Sequence, residues 1–240
     1  MEDNLSKVAE LLAGELTADK AVEILKELGV YGLDADGIKG FKLWGDYLPK
    51  GRETPYTDEQ RYLHILWECL DRSPYAINVA FAIPFRAMIA KRLFKRCGDG
   101  FVANEGCRFN YGHLIEVGDN VSWNHGCYVD SKGGVAFGNF SVMTEYAKIF
   151  THSHSEGDHE HRDYSPVVIG EYAKIYTAAT ILGGVKIGTG AIVATGSIVT
   201  KDVPDFTVVA GIPAKVLRDR RSKDVGEYNQ YMFPDKDFQV

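Results

Sequence analysis

The sequence predicts a mainly β protein, a parallel β-helix of hexapeptide repeats preceded by an α-helical N-terminal region. Three observations lead there. Apolar residues in the first hundred positions recur at helical spacing. That spacing vanishes past Gly98. From about residue 115 the chain repeats in steps of six: an aliphatic residue, often followed by glycine, then a small residue four positions on. The chain thus divides into a helical region over 1–98, a β-helix over 99–218 and a tail over 219–240.

In chain order, Leu5, Val8 and Leu12 make one helical face, and Ala21, Leu25 and Leu28 another. Thr17 is placed to cap the second of these helices and Gly29 to stop it. Residues 30–56 are rich in glycine and aromatics, ending in Pro49-Lys-Gly51, and read as irregular but packed. Thr57-Asp-Glu-Gln60 has the capping-box pattern. It opens a helix whose Leu63, Leu66, Trp67 and Leu70 form an apolar stripe. A further helix is expected from about Pro84 to Arg96, with Phe85, Met88, Ile89 and Leu93 inward. Stripes of this kind build cores, so no chemistry is assigned to this half.

The repeats are explicit. Ile169-Gly170 is followed by Ala173, Ile175, Ala179 and Ile181, and Ile187-Gly188 by Ala191, Val193, Ser197 and Val199. Upstream, Val117-Gly118 leads to Val121, Trp123, Cys127 and Val129. Phe137-Gly138 leads to Ser141, Met143, Ala147 and Ile149, displaced by a two-residue insertion near Ser131-Lys-Gly-Gly134. Each flat side of such a coil needs a large residue pointing in, and each corner a small one. An antiparallel sandwich would instead alternate with period two.

A formal charge of −6, with both signs mixed, gives no pull toward nucleic acid or acidic membranes. Cys69, Cys97, Cys107 and Cys127 form no CxxC pair and fit the reduced thiols of a cytoplasmic protein. The chain opens on Met1-Glu-Asp-Asn, with no secretory signal. The longest apolar stretch, Ala76 to Phe85, is too short to span a bilayer. Lys91, Arg92, Lys95 and Arg96 after it read as the basic end of a packed helix, so membrane contact is not expected.

Four of the seven histidines crowd into IFTHSHSEGDHEHRDYSP, residues 149–166. The stretch interrupts the coil rhythm, and loops inserted into a repeat often carry binding. A neutral imidazole can take a hydroxyl proton at pH 7. His152 and His154 are the candidates for that role; His159 and His161 read as solvated.

Several segments carry a family resemblance: Asn110-Tyr-Gly112, Val117-Gly-Asp-Asn120, Asn124-His-Gly-Cys127, Ile149-Phe-Thr-His-Ser-His154, Pro166-Val-Val-Ile-Gly170 and Gly196-Ser-Ile-Val-Thr-Lys-Asp-Val-Pro204. Ala210-Gly-Ile-Pro-Ala-Lys-Val-Leu-Arg218 is the most specific. From Cys107 to Arg218 the chain resembles the hexapeptide-repeat acyltransferases, and is most similar to their maltose and galactoside O-acetyltransferase branch. The resemblance implies a left-handed coil, a homotrimer with active sites between subunits, acetyl-CoA as donor and a sugar or glycan hydroxyl as acceptor, with no metal. It implies His154 as general base and the Thr177 N–H as oxyanion donor. Asn124 would contact the acceptor, with His152 beside it. Thr195, Thr200, Lys201 and Arg218 would line the CoA tunnel. Two departures bear on the acceptor: Lys174 stands at the donor edge where the family often has tryptophan, and Asn110 where aspartate is common. The helical half has no counterpart in that branch.

Other readings stay open. His154 and His159 have the H-x4-H spacing of zinc carbonic anhydrases on this fold, with His125 or His113 as third ligand. The β-helix could be a trimeric scaffold, or the acceptor an amino-sugar amine.

Overall fold

The computed structural model describes residues 2–43, 56–158 and 161–223. The segment Pro49-Lys-Gly51, His159 and most of the 219–240 tail lie outside them. Among the described residues five α-helices come first: α1 (Glu2–Leu12), α2 (Ala18–Glu27), α3 (Ala35–Lys39), α4 (Asp58–Leu70) and α5 (Val79–Leu93). Thr17 Oγ1 accepts the Lys20 N–H at the start of α2. The capping box of α4 is complete: Thr57 Oγ1 accepts from Gln60 N (3.2 Å) and Gln60 Oε1 from Thr57 N (3.0 Å). Helix α5 starts at Val79 rather than near Pro84, which sits inside it. Residues 79–83 gave no helical stripe because α5 is apolar and buried on several sides, which erases periodicity. Among the described residues no helix is long and apolar enough to cross a membrane.

From Arg96 the chain winds through three parallel sheets of five, seven and five strands, the seventh of the second sheet being an antiparallel return, Ala214–Asp219. The inward partners record the coil length: Ile169 pairs with Ile187, eighteen residues on, and Val117 with Phe137, twenty on. The two extra residues fall at the corner between the third and first sheets, where Ser131-Lys-Gly-Gly134 was expected to insert. One coil, with strands Arg96–Cys97, Val102–Ala103 and Arg108–Phe109, precedes the first repeat visible in the sequence, near residue 115. Its inward residues include Phe101, Ala103, Cys107 and Phe109, which are aromatic or small, so no aliphatic repeat marked it.

The corners explain much of the repeat. Asn120, Phe140, Tyr172 and Phe206 stack in one column with φ of 54, 58, 56 and 51°. The left-handed conformation costs a non-glycine residue about 1 kcal/mol; between Phe140 and Tyr172, whose rings lie parallel 5.0 Å apart, stacking works against that cost. Close approach dictates glycine elsewhere: a Cβ on Gly170 would lie 2.7 Å from the Gly188 backbone.

The helices close the first coil. Trp67 of α4 and Phe94 pack among Phe109, Phe101 and Trp123, and Trp67 Nε1–H donates to the Cys107 carbonyl at 2.7 Å. Arg86 of α5 is fully buried, ion-paired to Asp71 and donating to the Ala103 carbonyl. Asp71 in turn accepts the Gly106 N–H at 2.9 Å. Helices and coils therefore share one core.

Candidate active site at two corners of the β-helix

The histidine-rich stretch is an antiparallel hairpin projecting from the corner between the third and first sheets. His152–His154 pairs with Arg162–Tyr164, in register His152 to Tyr164 and His154 to Arg162. Side chains two apart on a strand share a face, so the His152 and His154 rings meet edge to face, centroids 5.2 Å apart.

Beneath them lies Asp130, only 1% exposed. It stacks one coil below Phe150. Its Oδ2 accepts the Thr151 N–H at 3.2 Å and is hydrogen-bonded to His152 Nδ1. Lys132 Nζ lies 3.2 Å from His152 Nε2. A carboxylate only accepts and an ammonium only donates. The two bonds together therefore select the His152 tautomer with its proton on Nδ1. Thr151 fixes the turn: its hydroxyl donates to the Asp130 carbonyl and accepts the Gly133 N–H, both at 2.7 Å. Asp130 and Lys132 were not singled out in the sequence. The available signal was an aspartate directly after the inward Val129, one coil below the hairpin.

Asn124 and Thr177 stand elsewhere, at the corner between the second and third sheets. There a polar ladder climbs the coils. Asn104 Nδ2 donates to Asn124 Oδ1 (2.8 Å), and Asn124 Nδ2 to Glu145 Oε1 (2.7 Å). Thr177 Oγ1 donates to Glu145 Oε2 (3.2 Å) and lies 3.2 Å from Thr144 Oγ1. Asn124 Oδ1 also accepts the His125 N–H. The structure thus joins Asn124 to Thr177 through Glu145, a residue the sequence did not flag, and keeps both apart from the histidines. The third-sheet strand Lys148–Phe150 lies between the two corners.

The expected donor residues lie at the far end of the β-helix. Thr195 continues the ladder's corner, Thr200 and Lys201 follow strand Ile198–Val199 at the histidine corner, and all three are exposed. Arg218 lies exposed on the returning strand, opposite Val208. Lys174 departs from a surface charge. It is 8% exposed, and burial, helped by the nearby Arg220 charge, lowers its pKa from 10.5 to about 8.

The zinc reading loses geometric support. His125 stands at the ladder's corner, its Nδ1 3.2 Å from Glu105 Oε1. His113 packs edge-on against Tyr56 and Tyr111. His159 lies outside the described residues. A cysteine nucleophile is no better placed. Burial pushes the Cys97 thiol up to about 12, and a hydrogen bond with Cys107 together with burial pushes Cys127 higher still.

No protein-family model matches the chain. A Saccharomyces cerevisiae protein named as an acetyltransferase is 32% identical over 144 residues, 58% of this chain and 73% of the relative. The galactoside O-acetyltransferase of Escherichia coli is 30% identical over 160 residues, 65% of this chain and 75% of the relative. Among solved structures, a hexapeptide-repeat acetyltransferase of Vibrio cholerae in complex with acetyl coenzyme A is similar with a TM-score of 0.54 and 25% identity. The match covers 61% of this chain and 86% of that one.

Proposed function

The chain belongs to the hexapeptide-repeat acetyltransferases, and on that premise we propose that it moves an acetyl group from acetyl-CoA to a hydroxyl of a sugar or glycan, with His154 as general base. The observation that carries this is the hairpin over a buried carboxylate, which holds two imidazoles on one face at a corner of the β-helix. His152, held by Asp130 and Lys132, orients the site in this reading, and His154 takes the proton. The acceptor oxygen attacks the thioester carbonyl. The Thr177 N–H stabilises the resulting oxyanion. The tetrahedral intermediate collapses, and the CoA sulfur leaves with the proton from the imidazolium. Burial of Cys107 and Cys127 supports direct transfer without an acyl-enzyme. Lys201 and Arg218 face the phosphates of CoA. Free thiols throughout fit a reducing, cytoplasmic setting. Because the base and Thr177 occupy different corners, we read the working unit as a homotrimer in which a neighbouring chain brings them together.

Calorimetric titration with acetyl-CoA tests the donor; micromolar binding at one site per chain is expected, and no binding sinks the reading. His154→Ala should lose about 10²–10⁴ in turnover at unchanged donor affinity. One observation favours a second reading. The Asp130 carboxylate gives His152 the tautomer whose Nε2 lone pair suits a base. A larger loss in His152→Ala than in His154→Ala would move the base there.

A further inference from the structure

Lys132 is half-buried in the corner beneath the histidine hairpin, and its Nζ stands 3.2 Å from His152 Nε2. His154, the other imidazole on that face, lies 5.2 Å away between ring centroids. We propose that Lys132 is a positioning residue that selects between the two rings: its ammonium occupies the one lone pair of His152 and leaves the role of base to His154. The inference deepens the acetyl-transfer reading above and rests on it.

Three observations carry it. The first is the bonding of the ring. A neutral imidazole has a single acceptor nitrogen. Asp130 holds the proton on Nδ1, so the lone pair of His152 lies on Nε2, the atom that faces the ammonium. A general base must bring that lone pair within reach of the hydroxyl it deprotonates. The second is how the lysine is held. Ser131 is fully buried; its hydroxyl accepts the Tyr111 N–H and donates to the Tyr111 carbonyl, both at 2.9 Å. On the other side the Gly133 N–H donates to Thr151 Oγ1 at 2.7 Å, and the Gly134 N–H closes the turn on the Ser131 carbonyl at 2.9 Å. A Cβ on Gly133 would lie 2.6 Å from the Thr151 carbonyl oxygen. The turn over residues 131–134 is thus tied to the base of the hairpin, and Lys132 with it. The third is coil length. Asp130 stands against Phe150, twenty residues on. Carried two residues further, that offset sets Lys132 beneath His152. An eighteen-residue coil would put Gly134 there, which has no side chain to reach the ring. A hydrogen bond to a charged group is worth about ten- to a hundredfold in an equilibrium, enough to decide which of two neighbouring rings is used.

The test labels the full chain with diethyl pyrocarbonate, which acylates an imidazole through its lone pair. Fragmentation of the tryptic peptide 149–162 assigns the label to each histidine. Wild type is compared with Lys132→Met and Lys132→Arg. The His152 rate should rise about tenfold or more in Lys132→Met, while the His154 rate stays within about twofold. Lys132→Arg keeps a charged donor and should keep His152 shielded. Hydrolysis of acetyl-CoA, with water standing in for the acceptor hydroxyl, gives a second reading: adding Lys132→Met to His154→Ala should raise its residual rate about tenfold. An unchanged His152 rate in Lys132→Met overturns the proposal. So does a parallel rise at His152 and His154, which would report a loosened hairpin, and so does no gain in the double variant. Shielding of His152 by Lys132 in a chain that does not bind acetyl-CoA would keep the contact and reject the transfer reading instead.

Discussion

At the scale of single residues, the informative group is Asp130. It is buried and bound to a histidine, so its charge acts on that ring at short range and weakly screened. Its effect is to set which nitrogen of His152 carries the proton. Asp130→Asn keeps the shape but turns an acceptor into a group that can donate toward Nδ1. Nitrogen-15 NMR of His152 should show the proton on Nδ1 in wild type and on Nε2 in the variant. Turnover should fall about 10- to 100-fold with little change in acetyl-CoA affinity. An unchanged tautomer would mean that Lys132 alone sets the ring. The pair was illegible in sequence for a definite reason. Asp130 and His152 are 22 residues apart, whereas the hexapeptide rhythm alone gives eighteen per coil. The two-residue corner insertion brings Tyr128 opposite Lys148, and only then does Asp130 fall under the hairpin.

At the scale of elements, the join between the helices and the first coil depends on aromatic packing that includes an imidazole. His64 of α4 is 8% exposed and lies edge-on to Phe109, 5.1 Å between centroids. Desolvation lowers its pKa from 6.5 to about 4, with the Glu68 charge opposing and the Arg108 charge assisting. The neutral ring is the folded form. Above pH 6.5 it is neutral in both states and stability is independent of it. As pH falls from 6.5 to 4 the unfolded chain takes up a proton that the folded chain refuses, so stability falls, by on the order of 3 kcal/mol. His113, lowered by burial in the same cluster, adds in the same direction. His64→Leu should flatten most of that slope in urea melts run between pH 4 and 7; an unchanged slope would place the acid sensitivity elsewhere. Helix α4 itself was plain in sequence, because capping and the Leu63, Leu66, Trp67, Leu70 stripe agree. The start of α5 was not, since a helix buried on several sides has no stripe to show. The first coil was hidden in the same way, by Phe101 and Phe109 standing where aliphatic residues mark the later coils.

At the scale of the whole molecule, the repeat made the fold legible, while the placement of the site follows from corners that a linear motif does not distinguish. His154 and Thr177 are 23 positions apart, yet they stand at different edges because one follows the third sheet and the other the second. On the proposed reading, in which His154 is the base and Thr177 the oxyanion donor, the two stand at different corners of one chain, and a neighbouring copy would complete each site, with the histidine corner of one copy against the ladder corner of the next. That arrangement has a quantitative consequence. His154→Ala would remove the proposed base from one side of every site, and Asn124→Ala the proposed acceptor contact from the other. Each homo-oligomer should be impaired. When the two variants are unfolded together and refolded as mixed trimers, random assembly pairs an intact histidine corner with an intact ladder corner in about a quarter of the sites. Activity should therefore recover to about a quarter of wild type. If the site were built within one chain, no mixed trimer would contain an intact one. The mixture would then show only the mean of the two variants.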